Sequence, residues 1–376
     1  MRKARSAKTA LRLVPRVLKQ AVLSAVLSLT GLDVAQASPP TYTITGLGTL
    51  GGAYSLGLGI NNYSQVTGYA ATRDGTSHAF IFSNGTMTDL GALGGTVSYG
   101  YAINDNGQTT GYAYTTGDTD AHAFLYSNGT MVDLGTLGGT FSQGNGINDN
   151  GQVTGTSYAG GFFHAFLYSN GAMTDLGTFG GAYSYGSAIN DRGQATGYAD
   201  TISGASHAFI YRNGSMIDLG TLGGTYSYGV SINNYGQVTG GSYPTSNAAE
   251  HAFLYSNGTM IDLGTLGGNG SIGIHINESG QVVGSSQTTG NTSTDAFLYD
   301  GTTMVDLNDL LSNGTGWTLE AAYGINNSGQ ITGYGTFNGQ TEAFLLTPNS
   351  VPAPSAVWLF GSALAGLSTA RRRKLS

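Results

Sequence analysis

The chain of 376 residues repeats one unit of about 43 residues seven times. Strings like HAFLY begin at five histidines and, in altered form, at Asp295 and Glu342, spaced 42 to 47 residues apart. Strings like INDNGQ and MTDLGTLGG recur with a similar period, and a first copy of the latter opens at Ile44. A period of this length indicates an array of equal supersecondary units, each burying its apolar side against the next.

Each unit predicts four short β-strands. The string HAFLY precedes Ser-Asn-Gly and a second strand, TMVDL; Asn-Gly is a strong hairpin signal because both residues accept positive φ. A loop, TLGG, follows, then a strand such as YGYAI, a turn at residues 104–107 and a last strand, QTTGYA. Four strands in about 43 residues match one blade of a β-propeller.

The phase of the repeat predicts that the ring of blades closes. The first MTDLG-type strand, near Ile44, lacks a HAF partner, and the last HAF-type strand, residues 342–347, lacks an MTDLG partner. Pairing the two would complete a seventh blade and remove two exposed sheet edges, which otherwise invite aggregation. We therefore predict an all-β fold, a seven-bladed β-propeller of four-stranded blades over residues 38–349. An open β array and two separate β domains are the alternatives.

The distribution of charge and the absence of Cys limit the partners and the chemistry. Seven of the 14 basic residues lie in the first 19 positions and four at residues 371–374, so residues 38–370 carry 20 acidic and three basic side chains, a balance of −17. Because a nucleic-acid-binding surface needs Lys and Arg against the phosphates, we expect no nucleic-acid partner. A chain with no Cys has no disulfides, thiolate metal sites or cysteine catalysis.

The first 37 residues have the three parts of a secretory signal peptide. Residues 1–20 are basic, residues 21–32 are apolar or small, and Ala35 and Ala37 form an A-x-A cleavage site. The apolar run is too short for a comfortable transmembrane helix. We therefore expect export, with cleavage after Ala37, and an amphipathic N-terminal helix is the alternative.

The last 27 residues, 350–376, predict a second targeting segment. Residues 350–370 carry no charge and precede a basic cluster, an arrangement that halts an exported chain with the cluster on the cytoplasmic side. A proline motif, an apolar segment and an Arg run in this order resemble the PEP-CTERM sorting signal of Gram-negative bacteria, although the motif here has no Glu. The resemblance implies an exosortase-type processing enzyme as a partner and a transient inner-membrane anchor; a plain tail anchor is the alternative. The motif is Val351, Pro352, Ala353 and Pro354, and the cluster is Arg371, Arg372, Arg373 and Lys374.

The repeat also resembles a known family. HAFLYSNGTMVDLGTLGGT, which begins at His122, and its neighbours are similar to the HAF repeat of extracellular bacterial proteins over about residues 43–347. The resemblance implies an extracellular location. It implies no activity, substrate or catalytic residue.

Two polar positions recur in the repeats. The HAF histidines suggest metal ligands or a pH switch, but we favour a polar cap at a strand start, hydrogen-bonded across the hairpin or to the next blade. The aspartates before Leu suggest calcium ligands, but one carboxylate per blade favours acceptors for backbone N–H groups of the following loop. These residues are His78, His122, His164, His207 and His251, and Asp89, Asp133, Asp175, Asp218, Asp262 and Asp306.

The INDNGQ turns resemble fragments of calcium loops. They lack the D-x-D-x-D-G ladder and its closing Glu, so we expect side-chain-to-backbone turn bonds instead. We assign no metal or other cofactor, and a calcium-stabilised structural protein is one alternative. The turn residues are Asn104, Asp105, Asn148, Asp149, Asn190 and Asp191.

An enzyme would need residues that break the repeat, because a catalytic site requires distinct acid, base or nucleophile groups. The unrepeated candidates are His275, Glu278, Glu250, Glu320 and the insert at residues 308–317. No spacing among them indicates a reaction, so we assign no catalytic residue. A secreted polysaccharide hydrolase or lyase with two carboxylates in the seventh unit is the alternative.

The repeats and the two resemblances together predict a non-catalytic surface or extracellular-matrix protein of a Gram-negative bacterium, a binding propeller associated with exopolysaccharide or biofilm. Tyrosines near the loops would either stack on sugars or pack between blades, and packing is the interpretation that we favour for each one. These residues are Tyr54, Tyr99, Tyr183, Tyr185, Tyr226 and Tyr228.

Overall fold

The computed structural model describes residues 40–349, which form seven four-stranded antiparallel sheets. The predicted seven-bladed β-propeller is confirmed. The predicted signal peptide and sorting segment lie outside the described residues and stay predictions. Within residues 40–349, no helix has the length and apolarity needed to cross a membrane.

The described residues contain 28 strands and two short 3-10 turns, at Thr289–Asn291 and Asn308–Leu310. The strands are β1 (Tyr42–Gly46), β2 (Gly51–Ile60), β3 (Val66–Thr72), β4 (Ser77–Ser83), β5 (Thr86–Asp89), β6 (Gly94–Ile103), β7 (Thr109–Thr115), β8 (Ala121–Ser127), β9 (Thr130–Asp133), β10 (Ser142–Ile147), β11 (Val153–Ala159), β12 (Phe162–Ser169), β13 (Ala172–Asp175), β14 (Gly180–Ile189), β15 (Ala195–Thr201), β16 (Ser206–Arg212), β17 (Ser215–Asp218), β18 (Gly223–Ile232), β19 (Val238–Pro244), β20 (His251–Ser256), β21 (Thr259–Asp262), β22 (Gly267–Ile276), β23 (Val282–Thr288), β24 (Thr294–Tyr299), β25 (Met304–Asp306), β26 (Trp317–Ile325), β27 (Ile331–Phe337) and β28 (Gln340–Pro348).

Blades 1 to 6 each consist of four consecutive strands, beginning with β2–β5 and ending with β22–β25. Blade 7 consists of β26, β27, β28 and β1. The first strand of each blade lies nearest the axis, where it contacts the first strands of both neighbouring blades. We call these seven strands (β2, β6, β10, β14, β18, β22 and β26) the inner strands.

The direction of the inner strands distinguishes the two faces of the ring. Each one ends at an INDNGQ turn, such as residues 61–65, so these turns and the Asn-Gly hairpins, such as residues 84–85, share one end, here called the turn face. The GTLGG-type loops, such as residues 90–93, and the starts of the HAF strands lie at the other end, here called the loop face. Every blade therefore presents the same residue types to the same face.

The Asn-Gly hairpins adopt the backbone geometry that their sequence predicts. Asn84 has φ 51° and Gly85 has φ 78°, and the same pair of positive values recurs at Asn128 and Gly129. Two successive residues in the left-handed region make a two-residue turn whose twist suits the flanking strands. The turn by itself accounts for Asn and Gly at these positions.

The hydrophobic core lies between neighbouring blades and is built largely from the HAF strings. The Phe of each string is fully buried, and the Ala beside it is buried as well. Because the side chains of a strand alternate between its faces, the Ala and the Phe of a string point to opposite sides of the blade. The Ala of one blade therefore packs with the Phe of the next, as Ala79 does with Phe124. The seven phenylalanines are Phe80, Phe124, Phe166, Phe209, Phe253, Phe297 and Phe344.

The first and last strands close the ring, as the phase of the repeat predicts. Strand β1 pairs antiparallel with β28, in a register that runs from Tyr42 opposite Pro348 to Gly46 opposite Phe344. The backbone N–H of Asn349 donates to the carbonyl oxygen of Thr41 at 2.8 Å. Both ends of the described chain therefore meet at the outer edge of blade 7, on the turn face.

The insert at residues 308–317 fastens the closing strand, a role that the sequence did not indicate. The Asn313 side chain accepts a hydrogen bond from the Ile44 backbone N–H at 2.8 Å and donates to the Ile44 carbonyl oxygen at 3.3 Å. The backbone N–H of Ser312 donates to the Tyr42 carbonyl oxygen at 2.8 Å. The insert thus covers the outer edge of β1, which would otherwise be an unpaired sheet edge.

We expect the Tyr42→Ala variant of residues 38–350 to lose about 3–5 kcal/mol of unfolding free energy in urea denaturation. The Tyr42 side chain is 1% exposed and packs where β1 meets the insert, and removing a buried aromatic ring leaves a cavity. The control is Tyr63→Ala, because Tyr63 is 72% exposed and its loss should change stability by no more than about 0.5 kcal/mol. Equal effects of the two substitutions would contradict the closing role of β1.

Candidate functional site

A closed ring of hydrogen bonds between seven asparagines surrounds the axis at the turn face. Each asparagine begins an INDNGQ turn and is at most 5% exposed. Its side-chain amide donates to the backbone carbonyl oxygen of the corresponding asparagine in the next blade, at 2.9–3.2 Å, until the last blade bonds to the first. The ring consists of Asn61, Asn104, Asn148, Asn190, Asn233, Asn277 and Asn326.

The same asparagines also shape their own turns. In blade 3, the Asn148 amide donates to the Gln152 side chain at 2.9 Å, and its oxygen accepts from the backbone N–H groups of Asn150 and Gln152. These are the side-chain-to-backbone turn bonds predicted from the sequence. The bond from each blade to the next was not predicted, because residues about 43 positions apart had no assigned geometry.

A second ring of hydrogen bonds lies beside the first. The residue after each ring asparagine donates its backbone N–H to the side-chain oxygen of the corresponding residue in the next blade, at 2.8–3.1 Å. Four of these residues are acidic, and the other three are asparagines. They are Asn62, Asp105, Asp149, Asp191, Asn234, Glu278 and Asn327.

The turn-face mouth of the axial channel is therefore acidic. Burial, together with the neighbouring carboxylates of Asp191 and Asp105, raises the pKa of Asp149 above its usual range, against a hydrogen bond from the Asp105 backbone. Among the residues that the structure describes, no three Asp, Glu or His side chains are placed to hold a metal ion together. The carboxylates instead accept backbone N–H groups and join the blades.

The axial channel contains a cavity of about 680 Å³ between the two faces. A smaller space of about 170 Å³ lies beside it within the asparagine ring. The larger cavity lies within the range of roughly 300–1,000 Å³ that small-molecule sites occupy. Its lining includes no Asp, Glu, Lys or Arg side chain. It is an uncharged space in a strongly acidic domain.

The lining of the cavity breaks the symmetry of the ring. Five tyrosines from blades 1, 2 and 7 form one wall: Tyr69, Tyr99, Tyr101, Tyr112 and Tyr323. We call this set the tyrosine wall. Aliphatic side chains of blades 5 and 6, Val230 and Ile274, and the polar side chains of Asn145 and Ser187 line other parts of the cavity.

The tyrosine wall is held together by aromatic contacts. The Tyr99 and Tyr112 rings stack with 5.0 Å between centroids, and Tyr69 meets Tyr99 edge to face at 4.6 Å. Burial raises the pKa of Tyr69 and of Tyr101 to about 12, with smaller contributions from neighbouring phenols. These hydroxyls therefore stay protonated at neutral pH, and the wall offers neutral rings and neutral hydroxyl groups.

The six tyrosines singled out from the sequence fall into two groups. Tyr54, Tyr99, Tyr185 and Tyr228 pack against neighbouring side chains; the Tyr54 hydroxyl bonds with Ser77, and the Tyr228 hydroxyl donates to Glu250. Tyr183 and Tyr226 are 39% and 46% exposed on the loop-face side. Only Tyr99 of the six lines the axial cavity. Tyr69, Tyr101, Tyr112 and Tyr323 were missed, although all four lie on inner or second strands at repeated positions.

His275 lies between the two spaces of the channel and lines both. Its Nδ1 accepts the backbone N–H of Ile325 at 3.4 Å. Protein surrounds most of the ring, and this burial lowers the pKa of His275 to about 4 despite that hydrogen bond. The imidazole is therefore neutral at neutral pH.

The five HAF histidines pair with the five aspartates of their own hairpins on the loop-face side. Each Nδ1 lies 2.6–2.9 Å from a carboxylate oxygen of the Asp eleven residues later. Each Asp also accepts the backbone N–H of the Gly two residues on, as Asp133 does from Gly135 at 2.7 Å. Both interpretations favoured from the sequence, a cap across the hairpin and an acceptor for loop N–H groups, are confirmed.

The two blades with altered HAF strings lack the His–Asp pair, and they differ from each other in the side chains that replace it. In blade 7, Gly46 takes the place of Asp, and the longer Glu342 reaches the Gly48 N–H at 2.9 Å. A Cβ on Gly46 would collide with the Glu342 carboxylate, so the two changes fit each other. In blade 6, Asp295 replaces His near Asp306; burial and then the Asp295 carboxylate raise the pKa of Asp306, against hydrogen bonds from Asn308.

The unrepeated carboxylates lie in three different blades and have separate partners. Glu250 accepts from the Tyr228 hydroxyl in blade 5, and Glu278 accepts the Asn234 N–H at 3.1 Å. Glu320 accepts from the Thr336 hydroxyl at 2.6 Å in blade 7. The structure uses each of them to join neighbouring elements.

Comparisons with known proteins support the architecture. No family model matches the chain, and no curated protein sequence matches it. Solved structures do match. The β-propeller domain of the Trilobed protease from Pyrococcus furiosus, described as having an open velcro topology, has a TM-score of 0.54 at 10% identity, over 78% of this chain and 93% of that one.

Two further solved structures are more distant. The Pyrococcus horikoshii acylaminoacyl peptidase has a TM-score of 0.49 at 9% identity, over 81% of this chain and 54% of that one, so the chain spans about half of its length. TolB from Acinetobacter baumannii has a TM-score of 0.45 at 11% identity, over 77% of this chain and 65% of that one. At such identities the likeness concerns the fold alone, and the HAF-repeat and PEP-CTERM resemblances stay predictions.

We expect Asn148→Asp to cost about 3 kcal/mol at pH 7, because a carboxylate would face two acceptors, the Gln152 side-chain oxygen and the Asn190 carbonyl. The pKa of the new carboxyl would be raised above its unfolded value, so the loss should shrink below about pH 4 and grow as the pH rises. The measurement is urea denaturation of mutant and wild type at about pH 3 and at pH 7. Asn170→Asp, in the exposed hairpin turn of the same blade, is the control; a matching loss there would refute the role of the ring.

A paired substitution tests the compensation in blade 7. Gly46→Asp alone sets two carboxylates against each other, and Glu342→His alone removes the acceptor of the Gly48 N–H. The double variant rebuilds the His–Asp pair of blades 1 to 5, so we expect the two effects to couple favourably by about 1 kcal/mol. A double-mutant cycle from denaturation curves measures this, and simple additivity would show that the two positions are independent.

Proposed function

We propose that this chain is an exported, non-catalytic binding propeller that holds an extracellular polysaccharide of a Gram-negative bacterium. The uncharged axial cavity with its tyrosine wall is the observation that carries the proposal. Sugars offer apolar ring faces and many hydroxyl groups, and tyrosine provides an apolar face with a polar tip. A cavity of about 680 Å³ also leaves room for more than one sugar residue.

The charge of the domain supports a neutral polymer as the partner. Residues 38–370 carry a balance of −17, so polyanions are repelled over the whole surface. The cavity itself has no charged side chain to bind an ionic group. Uncharged segments of an exopolysaccharide fit both conditions.

The position of the chain ends supports display at the cell surface. Thr41 and Asn349 lie side by side on the turn face, where the Asn349 side chain donates to the Thr41 hydroxyl at 2.9 Å. A sorting segment that follows residue 349, which an exosortase-type enzyme would process at the inner membrane, would place this face toward the membrane. A chain held by that segment would present its loop face outward, toward the matrix.

Binding of the bacterium's own exopolysaccharide to purified residues 38–350 tests the proposal. We expect Tyr99→Ala to weaken binding about tenfold, because the stacking face is lost, and Tyr99→Phe to keep most of it. Tyr235→Ala is the matched control, since Tyr235 is 70% exposed outside the cavity. Melting temperatures establish that each variant is folded.

Two results would overturn the proposal. One is the absence of binding to the polysaccharide in both titration and pull-down experiments. The other is release of new sugar ends from the polysaccharide, abolished by Glu320→Gln, which would identify a hydrolase or lyase acting through blade 7.

A further inference from the structure

The position that follows the bulge of each inner strand holds one large side chain among seven. Blades 1 to 5 and blade 7 have Gly, Ala or Ser there, immediately before the isoleucine that ends each inner strand. Blade 6 has His275. The small residues are Gly59, Ala102, Gly146, Ala188, Ser231 and Gly324.

The hydrogen bond of His275 determines which ring nitrogen carries the proton. A backbone N–H can only donate, so Nδ1, which lies 3.4 Å from the Ile325 nitrogen, acts as the acceptor. The neutral imidazole then carries its proton on Nε2. Within residues 40–349, Nε2 has no hydrogen-bond partner, so a donor is available where His275 lines the cavity.

The groups around this donor are uncharged on the cavity side. Tyr323 from β26 and Ser231 from β18 line the same space, together with Ile274 from β22 itself. The charged groups nearby are the four acidic residues of the second hydrogen-bond ring, including Glu278 on the turn that follows β22. An anionic group entering the cavity would lose its hydration without gaining a positive partner, which is strongly unfavourable.

We propose that the axial cavity selects uncharged sugar residues over their uronic acid counterparts, with the Nε2–H group of His275 donating a hydrogen bond to a sugar hydroxyl. The tyrosine wall supplies the stacking surface, and His275 fixes the orientation of the sugar between the two spaces of the channel. This inference rests on the proposed function and adds the ligand class and a specificity-determining residue. One hydrogen bond between neutral groups corresponds to an effect of about three- to tenfold on affinity.

We infer an uncharged sugar and not a cation as the ligand because of the Nε2–H donor of His275. Aromatic walls also bind quaternary ammonium groups through cation–π attraction. His275 lines the same space, and its N–H donor offers nothing to a cation, whereas a sugar hydroxyl accepts the bond readily. Tetramethylammonium is therefore the decisive competitor in the test.

The selectivity is tested by calorimetric titration of residues 38–350 with matched probes. The neutral probes are maltotriose, mannotriose and galactotriose, and the anionic probe is trigalacturonic acid. All titrations use 0.15 M salt, where the Debye length is about 8 Å, so that charges are screened equally for every probe. We expect at least one neutral trisaccharide to bind at least tenfold more tightly than trigalacturonic acid and tetramethylammonium.

The role of His275 is tested with variants of the same fragment. His275→Phe keeps a flat ring without the donor and should weaken binding of the preferred neutral trisaccharide about three- to tenfold. His275→Gln keeps an N–H donor and should recover most of the affinity. His207→Phe, in a His–Asp pair outside the cavity, is the matched control and should leave binding unchanged.

The outcomes separate this inference from the proposed function. Equal or tighter binding of trigalacturonic acid overturns the selectivity but leaves a polysaccharide-binding propeller in place. Full affinity in a folded His275→Phe variant overturns the role of His275 alone. Tighter binding of tetramethylammonium than of every trisaccharide, or no binding of any trisaccharide, overturns both the inference and the axial binding site.

Discussion

The ring of asparagine side chains at the turn face is the interaction on which the rest of the structure depends. Each of these buried amides satisfies its own turn and then bonds to the next blade, and the seventh bonds to the first. A buried amide that lost either partner would cost free energy, so no blade can tilt or slide without breaking bonds on both sides. The spacing of the inner strands, and with it the width of the axial channel, follows from this ring.

The repeat is broken in blade 7, where the ring closes, and the breaks there have compensating partners. Glu342 stands at the His position but accepts the Gly48 N–H, as the Asp does in other blades. Gly46, at the Asp position, leaves room for the Glu342 carboxylate. The insert of blade 7 bonds to both Tyr42 and Ile44, so the short closing strand has partners on both edges. Both departures lie where the chain starts and ends its circuit, which is where a ring held by a single strand pair would open first.

The propeller combines a frame that recurs from blade to blade with a cavity lining that does not repeat. The His–Asp pairs recur in five blades, and each Asp also accepts a loop N–H group. The acidic residues of the second ring likewise accept backbone N–H groups of the neighbouring blade. The cavity lining does not repeat: tyrosines lie in blades 1, 2 and 7, and a single histidine lies in blade 6. A symmetric frame that fixes an asymmetric, uncharged cavity is well suited to hold one neutral ligand, and a repetitive acidic surface keeps polyanions away.

The sequence by itself determined the number of blades, the four strands in each, the Asn-Gly turns and the pairing of β1 with β28, because these follow from local periodicity and from the phase of the repeat. It also favoured a polar cap for each HAF His, bonded across the hairpin or to the next blade, and a backbone N–H acceptor for each Asp. The structure showed that the two pair with each other within one hairpin, as His122 and Asp133 do. Only the tertiary structure decided which side chains face the axis. The contacts that decide this join residues about 40 to 270 positions apart. They include the hydrogen bonds of Asn104 with Asn148 and of Asn313 with Ile44, and the position of Tyr69, Tyr112 and Tyr323 around one cavity. Such contacts depend on the bulge of each inner strand and on the angle between blades, which short-range patterns do not specify.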